Sequence, residues 1–396
     1  MEKDLSVEIE KCSFCGRPRE STKKFYKGHE GNICSDCADV IKEDFDYDYE
    51  EVKDSVSKLK KPYEIVQELD EYIVGQDEAK KIIAVAAYNH YKRVNIKTHV
   101  EMDKANILIV GPTGSGKTHL MKTLGKILDV PVVIADATSL TEAGYIGEDV
   151  ESVIAKLVKD AGMDIQKAEK GIVYIDEIDK ISARDVEGRR SSRDVSGEGV
   201  QQALLKMLEG HEMEISLSNG NSMKSDKVKI NTKNILFVCG GAFAGIEDII
   251  KRRNTKKVSL GFSVNGEEEI DEKGVTVNQD DLMKYGMIPE FLGRLPIIVK
   301  LDKLEVSTLR KIMTEPKNAL IKQYVEMFKI DGVDIKFEDD ALDYIAEMAN
   351  KKDMGARGLR GIIESYIYDI MYDVTEKAYE GELIISKKQL IDNIKS

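Results

Sequence analysis

The feature that most constrains this chain is an eight-residue stretch with the sequence GPTGSGKT. It follows an apolar run at residues 105–110 that is typical of a short buried strand, and it precedes residues 119–128, whose apolar side chains recur at helical spacing. In a strand–loop–helix unit of this kind, backbone N–H groups and the helix N-terminus converge on phosphate oxygens. The stretch therefore predicts a phosphate-binding loop made of Gly111, Pro112, Thr113, Gly114, Ser115, Gly116, Lys117 and Thr118.

Two side chains of this loop carry its chemistry. Lys117 is placed to reach the β and γ phosphates of a nucleotide, and the hydroxyl of Thr118 is a ligand for Mg²⁺. The alternative is a glycine-rich turn that matches by chance, which the flanking strand and helix patterns disfavour. The loop predicts nucleotide binding, but kinases, GTPases, helicases and molecular motors all share it.

Length and composition limit the remaining possibilities. A chain of 396 residues predicts two or three domains, and 42% hydrophobic with 33% charged residues is typical of a soluble globular protein. The net charge of −13 argues against general affinity for nucleic acid or for an anionic membrane, since both require a basic face. The charged N-terminus does not resemble a secretory signal and no apolar run is long enough to span a bilayer, so we expect a cytoplasmic protein.

Four of the five cysteines form two C-x2-C pairs separated by 18 residues: Cys12, Cys15, Cys34 and Cys37. Four thiolates at this spacing predict a tetrahedral Zn²⁺ site, and a shell closed by four sulfurs leaves no position open for catalysis. Two alternatives stay open: His29 could replace one cysteine, and the cysteines could form disulfides, which a reducing cytosol would disfavour. The pattern favours a structural zinc module at residues 1–42.

Beyond this module, the chain predicts three segments. Residues 43–61 begin with an acidic run and indicate a solvated linker, or else a partly helical exposed face. Residues 62–302 predict an α/β domain with a doubly wound parallel sheet, because near-continuous apolar strands alternate with helical patterns at 106–110, 130–135, 171–175, 234–239 and 296–301. Residues 303–396 predict a small, mostly helical domain with helices at 304–314, 318–328, 341–349 and 359–374 and short strands at 333–337 and 382–385.

An acidic pair follows the third predicted strand. Asp176 and Glu177 lie where α/β sheets place their chemistry, at the C-terminal end of a buried strand. Asp176 would hold Mg²⁺ through water, and Glu177 would orient and polarise the water that attacks the γ phosphate. The alternative is a solvated strand end, but the preceding phosphate-binding loop favours ATP hydrolysis.

Three further positions lie in suggestive contexts. Arg294 lies in a turn rich in Gly and Pro that enters the last strand, and Arg357 lies near the start of a helix in the small domain. Each could stabilise the charge that develops during hydrolysis, and each could equally be an ordinary surface charge. Tyr145 lies between glycines in a polar segment, so it is either an exposed residue that grips a polypeptide or an anchor folded back onto its own loop.

Taken together and in this order, the motifs resemble the AAA+ family of ATPases, and within it the unfoldases that deliver proteins to a ClpP-type peptidase. The resemblance covers nearly the whole chain, from Cys12 to about Asp373. It rests on the four-cysteine module, IVGQ from Ile73, GPTGSGKT, GYIG, IDEIDK, DVSGEGV from Asp194, CGGAFAG from Cys239, IPEFLGRLP and GARGLR.

The resemblance assigns roles to individual residues. It implies that Ile73 and Val74 help to bind adenine, that Arg294 acts in trans as an arginine finger, and that Arg357 senses nucleotide state. It implies a substrate-gripping pore loop at Tyr145 and Ile146, a second pore loop at 194–200, and peptidase docking through Leu260, Gly261 and Phe262. The implied assembly is a homo-hexamer that uses ATP, Mg²⁺ and Zn²⁺ and recruits substrate proteins and adaptors through its zinc module.

The sequence departs from the family at one place and lacks a usual feature at another. Residues 217–228 lack the Arg-Lys-His triad with which the family recruits peptide tags, so recognition of an anionic tag could be weaker or supplied elsewhere. AAA+ ATPases usually carry a polar sensor-1 residue at the end of the fourth strand. Cys239 and Gly240 occupy that position here, so no sensor-1 residue is assigned.

Two other function classes are weighed against the unfoldase. One is a nucleic-acid motor or loader with a zinc finger, which the acidity of the chain and the absence of Lys or Arg in GYIG disfavour. The other is an adaptor-like protein that binds nucleotide without turnover. With five histidines and no Ser-His-Asp or Cys-His constellation, a proteolytic site on this chain is not expected.

Overall fold

The computed structural model describes residues 10–45, 57, 59–96, 100–141, 148–182, 197–217, 226–258, 276–377 and 381–392. The chain divides into two compact units, one of residues 1–59 and 92–102 and one of residues 60–91 and 103–396. No helix among the described residues is long and apolar enough to cross a membrane.

The first unit contains the cysteine module. Strand β1 (Phe25–Lys27) pairs antiparallel with β2 (Asn32–Cys34), and a helix, Ser35–Phe45, follows directly. This strand-to-helix junction places Cys34 and Cys37 close together. The helix extends three residues into the segment predicted as a linker, whereas residues 46–56 and 58 lie outside the described part of the chain.

The second unit is built on a five-stranded, all-parallel sheet with the order β11-β3-β10-β7-β4. This confirms the predicted doubly wound sheet, and each strand begins one or two residues later than predicted. The strands are β3 (Ile107–Val110), β4 (Val132–Asp136), β7 (Ile172–Asp176), β10 (Leu236–Gly241) and β11 (Ile297–Lys300).

Successive side chains along these strands point to opposite faces of the sheet, so they contribute to two hydrophobic cores, one on each face. In β3, Ile107 and Ile109 pack on one face, while Leu108 and Val110 pack on the other. The first face is covered by helices Pro62–Asp70, Asp77–Asn95 and Lys117–Leu128. The second is covered by helices Val150–Asp160, Ile165–Ala168, Glu198–Glu209, Ile246–Val258, Gln279–Tyr285 and Pro289–Gly293.

An antiparallel pair of strands, β8 (Glu212–Leu217) and β9 (Asp226–Asn231), was not predicted from the sequence. Its outward positions carry charged residues, which lowers the apolar content of both strands. Glu214 is opposite Lys229, and Lys229 forms an ion pair of 2.7 Å with Glu212, its diagonal neighbour. Ile215 and Ile230 on the inward positions are nonetheless buried in the core. A second short pair joins β5 (Leu140–Thr141) to β6 (Glu148–Asp149).

Residues 303–392 have a hydrophobic core of their own. The predicted helices and both short strands are present, and β12 (Val333–Phe337) pairs in parallel with β13 (Gly381–Ile385). The helices are Val306–Thr314, Leu320–Ile330, Asp339–Lys351, Ala356–Lys377 and Lys387–Asp392, of which the last was not predicted. This confirms the mostly helical character of the C-terminal region.

Candidate functional site

The phosphate-binding loop connects strand β3, which lies between β11 and β10, to the helix that begins at Lys117. Two of its glycines have left-handed backbone angles, φ = 77° at Gly114 and φ = 98° at Gly116, which residues with a side chain rarely adopt. The first turn of the helix contains no acidic residue. Its free N–H groups and the positive end of its dipole can therefore receive phosphate oxygens.

Lys117 and Thr118 point in different directions from the start of this helix. The ammonium of Lys117 is buried and donates to the carbonyl oxygens of Gly111 (2.6 Å) and Pro112 (3.0 Å) in its own loop. Burial lowers the pKa of Lys117, whereas Asp176, Asp179 and Glu177 raise it. A phosphate bound in the loop would replace these carbonyl contacts with stronger charged ones.

The acidic pair at the end of β7 faces the loop. The Thr118 hydroxyl donates to Asp176 Oδ2 at 2.7 Å, so the two predicted Mg²⁺-binding groups are already in contact. Oxygen donors of this type fit Mg²⁺, which takes a few protein ligands together with water and phosphate. The structure thus joins Thr118 to Asp176, although they are far apart in the sequence.

Glu177 has an unusual backbone. Its φ is +56°, a region that a residue with a side chain enters at a cost of about 1–3 kcal/mol. Its N–H donates to Asp176 Oδ1 at 3.0 Å, and its side chain is exposed. Glu177 follows β7 in a left-handed turn, so it does not continue the regular alternation of side chains along that strand.

Asp179 is a buried member of the site that the sequence did not single out. Its Oδ1 accepts a hydrogen bond from the N–H of Ala242 at 3.0 Å, which ties the acidic segment to the loop after β10. Its place in the IDEID sequence was visible. Its partner was not, because Ala242 follows the neighbouring strand β10 and lies 63 residues further along the chain.

The C-terminal region contacts the phosphate-binding loop directly. The N–H of Ala356, at the start of helix 356–377, donates to the carbonyl of Gly114 at 3.1 Å. A side chain on Gly355 would lie 2.8 Å from the same carbonyl. A cavity of about 300 Å³ opens here between the loop, the segment after β10 and residues of the C-terminal region that include Asn350 and Asp353.

Ile73 and Val74 line a different cavity, of about 370 Å³, together with Pro316 and Lys317. The structure therefore does not bring them into the cavity at the phosphate-binding loop. Gln76, two residues on, exchanges two hydrogen bonds with the backbone of Asp302, at 2.9 and 3.0 Å. It joins this segment to the end of β11, a role that the sequence did not reveal.

The two arginines occupy different environments. Arg294 follows a short helix, Pro289–Gly293, rather than an open turn, because Pro at the first helical position favours a helix start. Its guanidinium is half exposed and pairs with Glu209 at 2.6 Å. Arg357 is exposed in the first turn of helix 356–377, next to the residues that contact Gly114.

Two predicted sites fall outside the described residues. Tyr145 and Ile146 lie in the segment 142–147, and Leu260, Gly261 and Phe262 lie in 259–275. Residues 194–196 of the predicted second pore loop, and residues 218–225 of the segment lacking the Arg-Lys-His triad, are also outside them.

The four cysteines of the first unit converge as predicted. Their sulfur atoms all lie within 4.8 Å of one another, with Cys15 and Cys34 Sγ 3.7 Å apart. A tetrahedral shell with Zn–S bonds of about 2.3 Å needs S···S edges of about 3.8 Å, so the group fits Zn²⁺. Within the described residues the cluster consists of these cysteines alone, without His29, and all five cysteines of the chain are free thiols.

The thiols of Cys12 and Cys37 differ in pKa, and therefore in how readily each forms the thiolate that binds a metal ion. The backbone N–H of Cys15 is the main cause that lowers the pKa of Cys12 to about 6, and the N–H of Cys34 also contacts Cys12 Sγ at 3.3 Å. The neighbouring Cys15 raises the pKa of Cys37 to about 12. Cys12 is thus a ready thiolate ligand, while Cys37 must lose a proton when zinc binds.

Comparison with known proteins agrees with this geometry. Residues 10–43 match the ClpX C4-type zinc finger, residues 102–298 match the AAA domain (Cdc48 subfamily), and residues 304–382 match the C-terminal, D2-small domain of ClpB protein. Two curated relatives, from Borrelia duttonii (strain Ly) and Borrelia recurrentis (strain A1), are each named ATP-dependent Clp protease ATP-binding subunit ClpX. Each is 45% identical over 402 aligned residues, covering 99% of this chain and 93% of the relative.

The family, the phosphate-binding loop and the cysteine cluster together establish an ATP hydrolase that uses Mg²⁺ and carries a Zn²⁺ site. The identity to these relatives extends over nearly the full length of both chains. The chain belongs to the ClpX family of AAA ATPases, the ATP-binding subunits of Clp proteases.

Proposed function

We propose that this chain assembles in the cytoplasm as a homo-hexameric ring that unfolds proteins with the energy of ATP and threads them through its pore into a ClpP-type peptidase. The observation that carries the proposal is the hydrogen bond from Ala356 to Gly114. Through it, the loop that holds the phosphates bears directly on the first turn of the longest helix of the C-terminal region. A change in the loop on hydrolysis can therefore reorient that region, which is what a motor requires.

In the proposed reaction, Lys117 and the loop N–H groups bind the phosphates, and Thr118 and Asp176 hold Mg²⁺. When bound, Mg²⁺ neutralises charge on the β and γ phosphates. Glu177 orients and polarises the attacking water, which can reach its exposed side chain. By the family resemblance, Ile73 and Val74 would contact the adenine of a bound nucleotide.

Arg294 completes the site of a neighbouring copy in this proposal. Its side chain is half exposed, and its present partner, Glu209, forms a surface ion pair of a kind worth about 0–1 kcal/mol. The guanidinium can therefore leave Glu209 at little cost to reach the γ phosphate on another subunit. Arg357 senses the nucleotide from within the same chain, because it lies one residue beyond the contact with the loop.

The roles of the pore loop, the docking segment and the zinc module are proposed from the family resemblance. Tyr145 and Ile146 grip the substrate in the pore, and Leu260, Gly261 and Phe262 dock the peptidase. The zinc module recruits substrates and adaptors. Domains are stable by about 5–15 kcal/mol, so repeated ATP-driven pulls can capture local unfolding before the substrate refolds.

The first experiment measures the rate of ATP turnover in the presence of a permanently unfolded protein and, separately, in the presence of single-stranded DNA. We expect stimulation by the unfolded protein and none by DNA. Stimulation by DNA alone would overturn the proposal in favour of a nucleic-acid motor or loader.

The second experiment tests the pore. Tyr145→Ala should retain ATPase activity and lose unfolding of a folded substrate, since the loop grips substrate and takes no part in hydrolysis. Unimpaired unfolding by this variant would remove Tyr145 from the pore. Phe262→Ala, which should lose capture of ClpP while unfolding normally, serves as the matched control.

A further inference from the structure

Tyr174 is a buried polar residue beside the nucleotide site that has no role in the proposed reaction so far. It lies on β7, two residues before Asp176, and its side chain is fully buried on the face of the sheet that packs against helix 117–128. The neighbouring strand β10 runs parallel to β7, with Val238 opposite Tyr174. The tyrosine side chain therefore extends along the sheet toward the last residues of β10.

The end of β10 is shaped to receive this side chain. A Cβ atom on Gly240 would overlap the Tyr174 hydroxyl oxygen and would lie 2.8 Å from two carbon atoms of its ring. The tyrosine hydroxyl thus occupies the volume that a side chain at position 240 would fill. Gly240 is required here for clearance, because its own backbone lies in a regular strand.

The hydroxyl has one described side-chain acceptor, and that acceptor is the magnesium-binding carboxylate. Tyr174 Oη donates to Asp176 Oδ1 at 3.0 Å, and the N–H of Glu177 donates to the same oxygen at 3.0 Å. The other oxygen, Oδ2, accepts from Thr118. A tyrosine hydroxyl is protonated at neutral pH and a carboxylate only accepts, so Tyr174 is the donor in this hydrogen bond.

A role in packing alone does not account for this arrangement. A phenylalanine would fill the same core volume without a hydroxyl that loses its water on burial. The hydroxyl donates to Asp176, and it reaches Asp176 only because position 240 has no side chain.

We propose that the Tyr174 hydroxyl is the positioning group of the Mg²⁺ site, holding the Asp176 carboxylate, and through its Oδ1 the backbone of Glu177, in the orientation that hydrolysis needs. Tyr174, on β7, thus places a hydroxyl group at the end of β10, where Gly240 has no side chain. The inference rests on the proposed roles of Asp176 and Glu177, and it is independent of the proposal that the ATPase unfolds proteins.

The test is Tyr174→Phe, which removes one oxygen atom and keeps the ring. Binding of a fluorescent ATP analogue is measured while Mg²⁺ is titrated. Partners that orient a metal ligand typically contribute about 10- to 100-fold, so we expect the half-saturating Mg²⁺ concentration to rise and kcat to fall by about 10-fold or more. Affinity for the analogue without Mg²⁺ should be unchanged, since the loop N–H groups and Lys117 remain.

Tyr91→Phe is the matched control. Tyr91 is also buried, and its hydroxyl also makes one hydrogen bond, to the carbonyl of Lys170 at 3.0 Å, which is not a group of the nucleotide site. This variant should show wild-type Mg²⁺ dependence even if it loses similar thermal stability. A purely structural role for Tyr174 would make the two variants behave alike.

Gly240→Ala provides a second route to the same result, because the new methyl group displaces the hydroxyl while Tyr174 is retained. It should raise the half-saturating Mg²⁺ concentration as Tyr174→Phe does, and the double variant should be no worse than the more affected single variant. Wild-type Mg²⁺ dependence in Tyr174→Phe, or additive effects in the double variant, would overturn the inference. If the wild-type protein hydrolyses ATP but fails to unfold a folded substrate, while Tyr174→Phe still raises the half-saturating Mg²⁺ concentration, the unfoldase proposal alone is overturned.

Discussion

The molecule contains two cation sites that are built on opposite plans. The zinc site uses four side chains from residues 12–37, and its four sulfurs close the coordination shell. The nucleotide site draws on residues 111–118, 174–179, 240–242 and 355–357, and its carboxylates leave positions open. A closed site built from one segment can only stabilise the local fold. An open site assembled from distant segments can bind a substrate, catalyse its reaction and transmit the resulting movement to those segments.

The two sites also differ in what supports them. Among residues 10–42, the only buried side chains are those of Cys12 and Cys34, so the zinc module has almost no apolar core. The nucleotide site stands on a sheet with a hydrophobic core on each face. Removing the cation should therefore unfold the first site and leave the second one folded.

The largest expected effect separates chemistry from binding at the open site. Glu177→Gln keeps the size of the side chain and removes its charge, so hydrolysis should fall by about 10²- to 10⁴-fold while ATP still binds. Steady-state turnover and equilibrium binding measured on the same preparation check this. Glu151→Gln, a change at an exposed position on helix 150–160, is the control and should leave both unchanged. Turnover within about threefold of wild type would exclude Glu177 as the residue that activates water.

Zinc removal is expected to have the next largest effect, and it is confined to the closed site. Zinc binding contributes about 10–16 kcal/mol to the folding of comparable modules, so chelation should abolish ordered structure in residues 10–45 and leave basal ATPase activity intact. Backbone NMR of this segment and the ATPase rate give the two readouts. An ATPase that failed on chelation would show that the zinc module supports the nucleotide site.

Acid should act on the zinc site in the same direction as chelation. Cys12, with its pKa lowered to about 6, is a thiolate at neutral pH, and its contribution is lost as pH falls through that value. Cys37, with its pKa raised to about 12, must release a proton on binding, so zinc affinity should fall continuously as pH decreases from 8 to 6. Competition with a chromogenic chelator at several pH values measures this. A pH-independent affinity would contradict the four-thiolate site.

A smaller effect is expected where the phosphate-binding loop meets the C-terminal region. Gly355 and Gly332 both have left-handed backbone angles, φ = 55° and φ = 80°. A Cβ atom on Gly355 would contact Gly114, whereas a Cβ atom on Gly332 would have no atom within 4 Å. Gly355→Ala and Gly332→Ala should both lose about 1–2 kcal/mol of stability from the left-handed backbone, and Gly355→Ala should lose more because its methyl group crowds Gly114. Only Gly355→Ala should weaken ATP binding, by about 10-fold, because crowding a packed contact costs about 1–3 kcal/mol. Equal ATP affinity in the two variants would remove the contact from the coupling pathway.

The contrast between the sites explains what the sequence could and could not predict. The cysteine cluster, the loop and the Asp176–Glu177 pair were identifiable because their spacing along the chain is the signal. The contacts of Tyr174 with Gly240, of Asp179 with Ala242 and of Gly114 with Gly355 depend on which strands and domains become neighbours, and spacing alone does not encode this. The β8–β9 pair was missed for a related reason, because its outward charges obscured the apolar alternation on its inward positions.

The central claim is that the open site is completed by a second copy of the chain, with Glu177 from one subunit and Arg294 from the next. Mixing Glu177→Gln with Arg294→Ala subunits tests it most directly. Each variant alone lacks one group at every site and should be nearly inactive, whereas mixed assemblies contain some sites with both groups intact. We predict that ATP turnover reappears on mixing and is highest near equal proportions. Mixtures that stay as inactive as their components, although subunit exchange is verified, would contradict the claim.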